Sequence, residues 1–286
     1  MPFSPLAFIP SPSNGTLNIG PLPLHVYGLL LAVGVVVGTL MSERRWQRWG
    51  HDRREIGDMI VVVVISGVVG ARLYHVATDY QLFAHHWIRV FEIWRGGLSI
   101  WGVIIGGVLA VVVMTRIRHV DTLGIMDAMA VGIMVAQAIG RWGNYFNQEL
   151  FGEPTRLPWG LEIDRAHRPA GYTQFTTFHP TFLYESLYLI ILVGILLAVE
   201  RRFVLRRGQS TALYLAMYTF GRFWFENLRI DPAHTIFGLR VNAWVSLLAC
   251  IGTAAWFVWL GRRGTFDPTR YPDSAKAVPA TSTEAA

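Results

Sequence analysis

Gly140-Arg141-Trp142-Gly143-Asn144-Tyr145-Phe146-Asn147-Gln148-Glu149-Leu150-Phe151-Gly152 decides how the rest of the chain is read. It follows an apolar, helix-length run from Met126 to Ile139 and opens the longest polar segment in the body of the sequence. An arginine, two asparagines and a glutamate are thereby set at a membrane edge, interleaved with glycines and aromatics. A cation at that depth is costly unless it faces a partner or a ligand. The glycines let the backbone turn and approach closely. The stretch predicts a polar site where a helix leaves a bilayer, with Arg141 ending the fourth span.

The surrounding composition agrees. Of 286 residues, 52% are hydrophobic and 15% charged, with a mean hydropathy of +0.37, whereas an average soluble domain carries about 25% charged residues. Apolar runs recur along most of the length, which predicts an all-α polytopic membrane protein. The formal charge of +6 does not point to nucleic acid, because the arginines cluster beside apolar runs and so orient the chain in a membrane. The single cysteine, Cys250, lies in an apolar run. It excludes an intrachain disulfide and reads as a buried structural thiol. No basic region precedes the first apolar run, so no cleavable signal peptide is expected.

About seven spans are predicted, near 24–42, 58–78, 98–116, 121–140, 180–200, 210–228 and 241–261, each close to the ~20 residues that cross a bilayer. The fourth is the least apolar and the sixth carries charge. Residues 1–23, rich in Pro, Ser and Gly, form an outer arm. Residues 24–263 form the membrane domain, with 141–179 a small outer-face head near the interface. From 264 the tail turns to Pro, Ala, Thr and Ser and is expected to be disordered and cytoplasmic. Orientation follows from arginine placement. Arg44, Arg45, Arg48, Arg53 and Arg54, then Arg116 and Arg118, then Arg201, Arg202, Arg206 and Arg207, then Arg262 and Arg263 fall on alternate connections. This puts the N-terminus outside and the C-terminus in the cytoplasm. Glycines within spans, such as Gly28, Gly34 and Gly38 or Gly102, Gly106 and Gly107, are expected to permit close helix packing.

Polar groups recur within the spans. Arg72 sits near the outer end of the second, beside Tyr74 and His75. Tyr218, Arg222 and Glu226 are spaced i, i+4, i+8 and share one face of the sixth. An Arg222–Glu226 ion pair closing a helix end is the simpler account, but a stripe that includes a tyrosine needs a protein-lined or wet cavity to face. His25-Val26-Tyr27-Gly28 begins the first span and His179-Pro180-Thr181-Phe182-Leu183-Tyr184-Glu185 the fifth. Taken alone, His25 and His179 read as interfacial or capping residues. Arginines converging at the outer edge suit an anionic lipid headgroup, since a guanidinium binds phosphate in a bidentate, charge-assisted way.

At these residues the chain resembles the prolipoprotein diacylglyceryl transferase family of bacterial inner-membrane enzymes, over about residues 20–265. Gly140 to Gly152 fits the family signature G-R-x-G-N-x-x-N-x-E-x-x-G throughout. His179-Pro180-Thr181 with Leu183-Tyr184-Glu185, and the Tyr218, Arg222, Glu226 stripe, match two further family segments. The resemblance implies transfer of the diacylglyceryl group of phosphatidylglycerol to the thiol of the lipobox cysteine in a preprolipoprotein signal peptide, giving a thioether and glycerol 1-phosphate. It implies no metal and no cofactor, and the chain shows no H-E-x-x-H or paired-cysteine spacing. One position departs from the pattern. After Arg95-Gly96-Gly97-Leu98-Ser99-Ile100, where many members have a histidine, this chain has Trp101, which cannot take a proton.

The implied chemistry assigns expected roles. The substrate supplies the thiol, so the chain needs no nucleophile. Arg141 and Arg222 would lower the thiol pKa and clamp the phosphate. Asn144 and Asn147 would donate to headgroup oxygens. Glu149 and Glu226 would orient arginines or accept the proton, and Tyr27 would donate to phosphate or relay a proton. Gly152, His25, Tyr218, Arg72, Trp101 and His179 complete the expected substrate-contacting set. The alternative is a transporter or flippase of an anionic lipid, which the intramembrane arginines allow. The lack of matching interrupted helices in two halves argues against it. A scaffold would gain nothing from buried charge, and an intramembrane serine protease would need a G-x-S-x-G elbow that is absent.

Overall fold

Apolar runs of this length satisfy their backbone polar groups within a bilayer only as helices, and seven α-helices form among the described residues. The computed structural model describes residues 8–12, 14–20, 22–83, 86–92 and 96–270. The helices are α1 Val26–Arg48, α2 Arg54–Thr78, α3 Ile100–Ile117, α4 Thr122–Asn147, α5 Thr181–Arg202, α6 Gln209–Leu228 and α7 Val241–Arg263. All but α6 are long and apolar enough to cross a membrane. α6 falls short for the reason visible in its sequence, the polar stripe through Arg222 and Glu226. The chain is an α-helical, multi-pass membrane protein. Ser13, Arg95 and the tail from residue 271 lie outside the described residues.

Two compact units divide the chain. One comprises residues up to 42 together with 129 onward, the other residues 43–128. The smaller unit is built on α2 and α3. A Cβ on Gly102 would fall 2.1 Å from the carbonyl oxygen of Gly70, and one on Gly106 would fall 2.3 Å from that of Ser66. Only glycine permits backbones this close. Arg72 fastens the α2–α3 connection from within: Nε donates to Val90 O at 2.7 Å, Nη1 to Gly96 O and Gly97 O at 2.9 and 3.2 Å, and Nη2 to Arg89 O.

In the larger unit, Gly38 of α1 meets Gly132 of α4, where an added Cβ would lie 2.2 Å from Gly38 O. Gly28 and Gly107 make no such approach, so the packing expected of the span glycines holds for Gly34, Gly38, Gly102 and Gly106. Small residues on α4 (Ala130, Val131, Ala138) receive Leu189, Leu192 and Leu196 of α5 and Tyr214 of α6 in one buried cluster. Six short strands, β1 Thr16–Ile19, β2 Leu22–His25, β3 Leu161–Glu162, β4 Thr177–Phe178, β5 Thr235–Ile236 and β6 Leu239–Arg240, form three antiparallel pairs in sequence order. The head closes over Phe151, Leu161, Ile163, Phe178 and Phe182. Part of the N-terminal arm joins it: Ile9 bridges Leu161 in parallel, and Tyr145 Oη donates to Pro10 O at 2.8 Å.

The fourth helix corrects one expectation. It does not end at Gly140 but runs on through Asn147, so Arg141 lies within a helix. The glycines of the signature serve packing here rather than a turn: a Cβ on Gly143 would fall 2.1 Å from Cδ2 of Tyr27. The reversal is made instead by Gln148 (φ 51°) and Leu150 (φ 58°), a left-handed backbone that non-glycine residues rarely adopt. Gln148 is held there by its side chain, which accepts from Asp164 N at 2.8 Å and donates to Asp164 Oδ2 at 2.6 Å.

Candidate active site

Two arginines on neighbouring helices share one carboxylate. Arg141 Nη2 lies 2.6 Å from Glu185 Oε2, and Arg222 Nη1 lies 3.5 Å from the same oxygen. Both arginines are largely shielded and Glu185 is buried. Arg141 also hydrogen-bonds Tyr218 and lies in the field of Tyr27. From Arg222 the contacts continue along α6: Nη2 pairs with Glu226 Oε2 at 2.6 Å, as the i, i+4 spacing requires. Glu226 is fully buried and gathers further donors. Arg229 Nη1 lies 3.3 Å from Oε2, Arg240 Nε 3.1 Å from Oε1, and Asn242 Nδ2 donates to Oε1 at 3.3 Å. Arg229 and Arg240 both grip Asp231, Arg229 through two bonds of 2.7 and 2.9 Å and Arg240 through one of 2.8 Å. Burial works to raise the Asp231 pKa, but the hydrogen bonds and charge of Arg229, then of Arg240, outweigh it and hold the carboxyl below its ordinary range.

This network binds four arginines (141, 222, 229, 240) to three carboxylates (185, 226, 231). It therefore holds one guanidinium more than it neutralises. Arg222 Nη1 and Arg240 Nε are buried and make no hydrogen bond, and beside Arg222 the residues Glu185, Tyr188, Leu189, Tyr218 and Phe225 line a small cavity of ≈ 10 Å³. A buried cationic donor without an acceptor is expensive. An anionic oxygen entering this space would satisfy both the donor and the charge.

A second cluster lies at the end of α4. Asn144 Nδ2 and Asn147 Nδ2 both donate to Glu149 Oε1, at 3.0 and 3.1 Å. Their amides thus fix the glutamate. Glu149 is exposed, so its other oxygen stands at the wet edge. Tyr27 is half-buried and lies in the fields of Glu149 and Arg141 together, which joins the two clusters. Gly152 donates its N–H to His179 O at 3.0 Å and bridges Arg229. An added Cβ would fall 2.9 Å from His179 Cβ and 3.1 Å from Leu228 O. Its place is a backbone junction that sets Arg229. His179 Nδ1 lies 3.1 Å from Tyr184 Oη, which accepts from Trp159 Nε1 at 2.9 Å. His25 closes β2 and is exposed.

Arg72 and Trp101 belong to the smaller unit. The Arg72 guanidinium is committed to loop carbonyls, and Phe83 lies 5.2 Å from it. That is an anchor's arrangement rather than a ligand's. Trp101 opens α3 with 41% of its surface exposed.

Four residues at the centre of the geometry were absent from the expected set: Glu185, Arg229, Asp231 and Arg240. Glu185 had a signal in the sequence. It lies within an apolar run, and arginines held at membrane depth require a counter-charge. Arg229, Asp231 and Arg240 carried none. They fall in a short connection that reads as an ordinary solvated loop, and only the β5–β6 pairing of Thr235 with Arg240 brings the last of them back.

Comparison with known proteins places most of the chain in one family. The family model described as prolipoprotein diacylglyceryl transferase matches residues 14–259. The chain is 48% identical over 258 residues to the phosphatidylglycerol–prolipoprotein diacylglyceryl transferase of Cutibacterium acnes, covering 89% of this chain and 87% of that one. It is 48% identical to the second such transferase of Streptomyces coelicolor over 256 residues, 88% of this chain and 81% of that one. With the transferase of Frankia alni it shares 46% over 275 residues, 95% of this chain and 72% of that one. With the matched region spanning both clusters and most of the chain, the chain belongs to the prolipoprotein diacylglyceryl transferase family.

Proposed function

We propose that the chain transfers the diacylglyceryl group of phosphatidylglycerol to the thiol of a lipobox cysteine in a preprolipoprotein signal peptide. This would be the first step of bacterial lipoprotein maturation, in the cytoplasmic membrane, with the N-terminus outside. The observation that carries the reading is the pair Arg141 and Arg222 gathered on the one carboxylate of Glu185, with Arg222 Nη1 buried and without a hydrogen bond beside a small cavity. A lipid phosphate oxygen suits that position.

The residues divide the work as follows. Arg141 and Arg222 bind the phosphodiester and draw the cysteine proton off by lowering the thiol pKa. The thiolate sulfur attacks the glyceryl C3 carbon, a C–S bond forms and the C–O bond to phosphate breaks. The leaving glycerol 1-phosphate carries the electron pair into the field of the same two arginines, where stabilisation matters most as charge develops. Glu185 and Glu226 hold those arginines in place. Three guanidiniums and an amide already occupy Glu226, which leaves it holding arginines rather than meeting the thiol. Glu149 is the better proton acceptor: Asn144 and Asn147 occupy a single oxygen, and the carboxylate meets water. Tyr27, between Arg141 and Glu149, relays the proton outward. In this scheme Trp101 does no acid–base work, Arg72 and Gly152 act on the scaffold, and His25 and His179 lie at its outer edge.

Purified protein incubated with phosphatidylglycerol and a lipobox peptide tests the reading. The expected result is a peptide heavier by one diacylglyceryl group, with an equal amount of glycerol phosphate released. A Cys→Ser peptide should give neither. Movement of the lipid between leaflets without covalent product would favour a transporter instead.

A further inference from the structure

At the end of the larger unit away from the Arg141 cluster, where α5 ends and α6 begins, the chain builds a second cavity. It holds ≈ 580 Å³ and is lined by residues of α5, α6, α7 and the 203–206 connection, chiefly Val199, Phe203, Val204, Leu213, Phe257 and Arg206. Its floor is fixed by polar contacts. Gln209, buried at the start of α6, donates to Phe257 O at 3.1 Å and accepts from Arg206 N at 2.8 Å. Gly261 lets α7 pass, since a Cβ there would fall 2.9 Å from the Gln209 amide nitrogen. Arg206 Nη1 donates to Arg262 O and to O of Gly264, the residue that caps α7, at 3.2 and 2.9 Å, a helix end where a cation is favoured. Among the described residues its Nε and Nη2 have no protein acceptor. Arg201, Arg202, Arg207, Arg262 and Arg263 border the same end of the helices.

We propose that this cavity is a second lipid site, holding an anionic glycerophospholipid with its phosphate against Arg206 and an acyl chain along Phe203, Leu213 and Phe257. The volume lies in the ~300–1,000 Å³ range of small-ligand sites. Apolar walls under a rim where arginines outnumber carboxylates, Glu200 and Asp267 being paired with Arg270 and Arg207, are the arrangement that selects an anionic amphiphile, and a guanidinium with two spare donors in a fork binds phosphate directly. The site lies at the arginine-rich end of the helices, whereas the proposed transfer chemistry lies at the other, so its occupant is bound rather than consumed.

Native mass spectrometry of the full chain, released from detergent with phosphatidylglycerol, phosphatidic acid, phosphatidylcholine or chain-free glycerol phosphate, tests this. Val204 is exposed, so Val204→Glu places a carboxylate at the rim with little demand on folding, and Val204→Lys reverses its sign. The expected result is about fivefold weaker retention of both anionic lipids in V204E, the effect of one like charge at a lipid site, and undiminished retention in V204K. In a second arm, Arg141→Gln with Arg222→Gln should remove transfer activity and leave the V204-sensitive lipid bound. Equal retention in wild type and V204E overturns the proposal. So does equal retention of phosphatidylcholine, or glycerol phosphate binding as tightly as the lipids.

Discussion

Glu185 Oε2 lies 2.6 Å from Arg141 Nη2, joining α5 to α4 below the head. The same oxygen faces Arg222 of α6, so one carboxylate fixes the spacing of the two groups proposed to hold phosphate. Glu185→Gln keeps the shape and removes the charge. Breaking a buried pair from one side costs roughly 3–5 kcal/mol, so a clear fall in melting temperature is expected. With the arginines displaced, kcat should drop about 10²-fold, the size of a lost transition-state contact. Turnover and melting are measured on the same detergent sample. Wild-type values of both would show that the arginines need no carboxylate between them.

Arg222 separates charge from geometry. Its Nη2 is bound to Glu226 while Nη1 is buried without a hydrogen bond, so both ends of the fork are required. Arg222→Gln should lower kcat by about 10²–10³-fold. Arg222→Lys should recover little of it, because an ammonium cannot reach two acceptors in one plane. The kinetic split is the check: a rise in KM alone would assign Arg222 to ground-state binding.

The helices and the chemistry were legible to different depths. Seven apolar runs predicted α1 to α7 with the right order, because hydropathy reports directly on what a bilayer demands of a backbone. The Arg222–Glu226 pair was legible too, since helical spacing alone brings it together. The end of α4 was not. Gly143 looked like a turn residue, yet it is small because Tyr27 of α1 packs against it, and sequence carries no record of a neighbour 116 positions away (143 minus 27). The convergence of Arg229, Asp231 and Arg240 on Glu226 was hidden for the same reason.

Asp231 gives a pH signature outside the membrane. Its folded-state pKa is held below the ordinary value by Arg229 and Arg240. The unfolded value is ~3.9, so its pairing stabilises the fold above that pH and is lost as pH falls through the lower folded value. Wild-type melting temperature should therefore fall between about pH 5 and pH 3 more steeply than that of Asp231→Asn, which starts lower. Parallel curves would mean that the Asp231 contacts contribute nothing to stability.

Orientation is tested by thiol labelling in a Cys250→Ser background. Cys250 Sγ lies 3.5 Å from Ala216 O and plays no part in the proposed chemistry, so this variant should retain transfer activity. Ala170→Cys, in the head, should react with a membrane-impermeant reagent in intact cells. Arg53→Cys, exposed in the α1–α2 connection, should react only after lysis. The reverse pattern would invert the arginine-based orientation.

The proton acceptor is tested by the pH–rate profile. Glu149 accepts two amide hydrogen bonds on one oxygen and is open to water, whereas Glu226 is enclosed by three guanidiniums. Glu149→Gln should lower kcat about 10²–10⁴-fold, the usual contribution of a general base, while leaving the melting temperature nearly unchanged. Glu226→Gln should instead lower stability along with rate, because it leaves three buried cations without their common anion. Trp101→Phe should retain much of the activity, since an indole takes no proton. No limb should appear near the histidine value of ~6.5. A limb there that disappears in His25→Gln or His179→Gln would transfer the role to that histidine, and a wild-type kcat in Glu149→Gln would remove it from the glutamate.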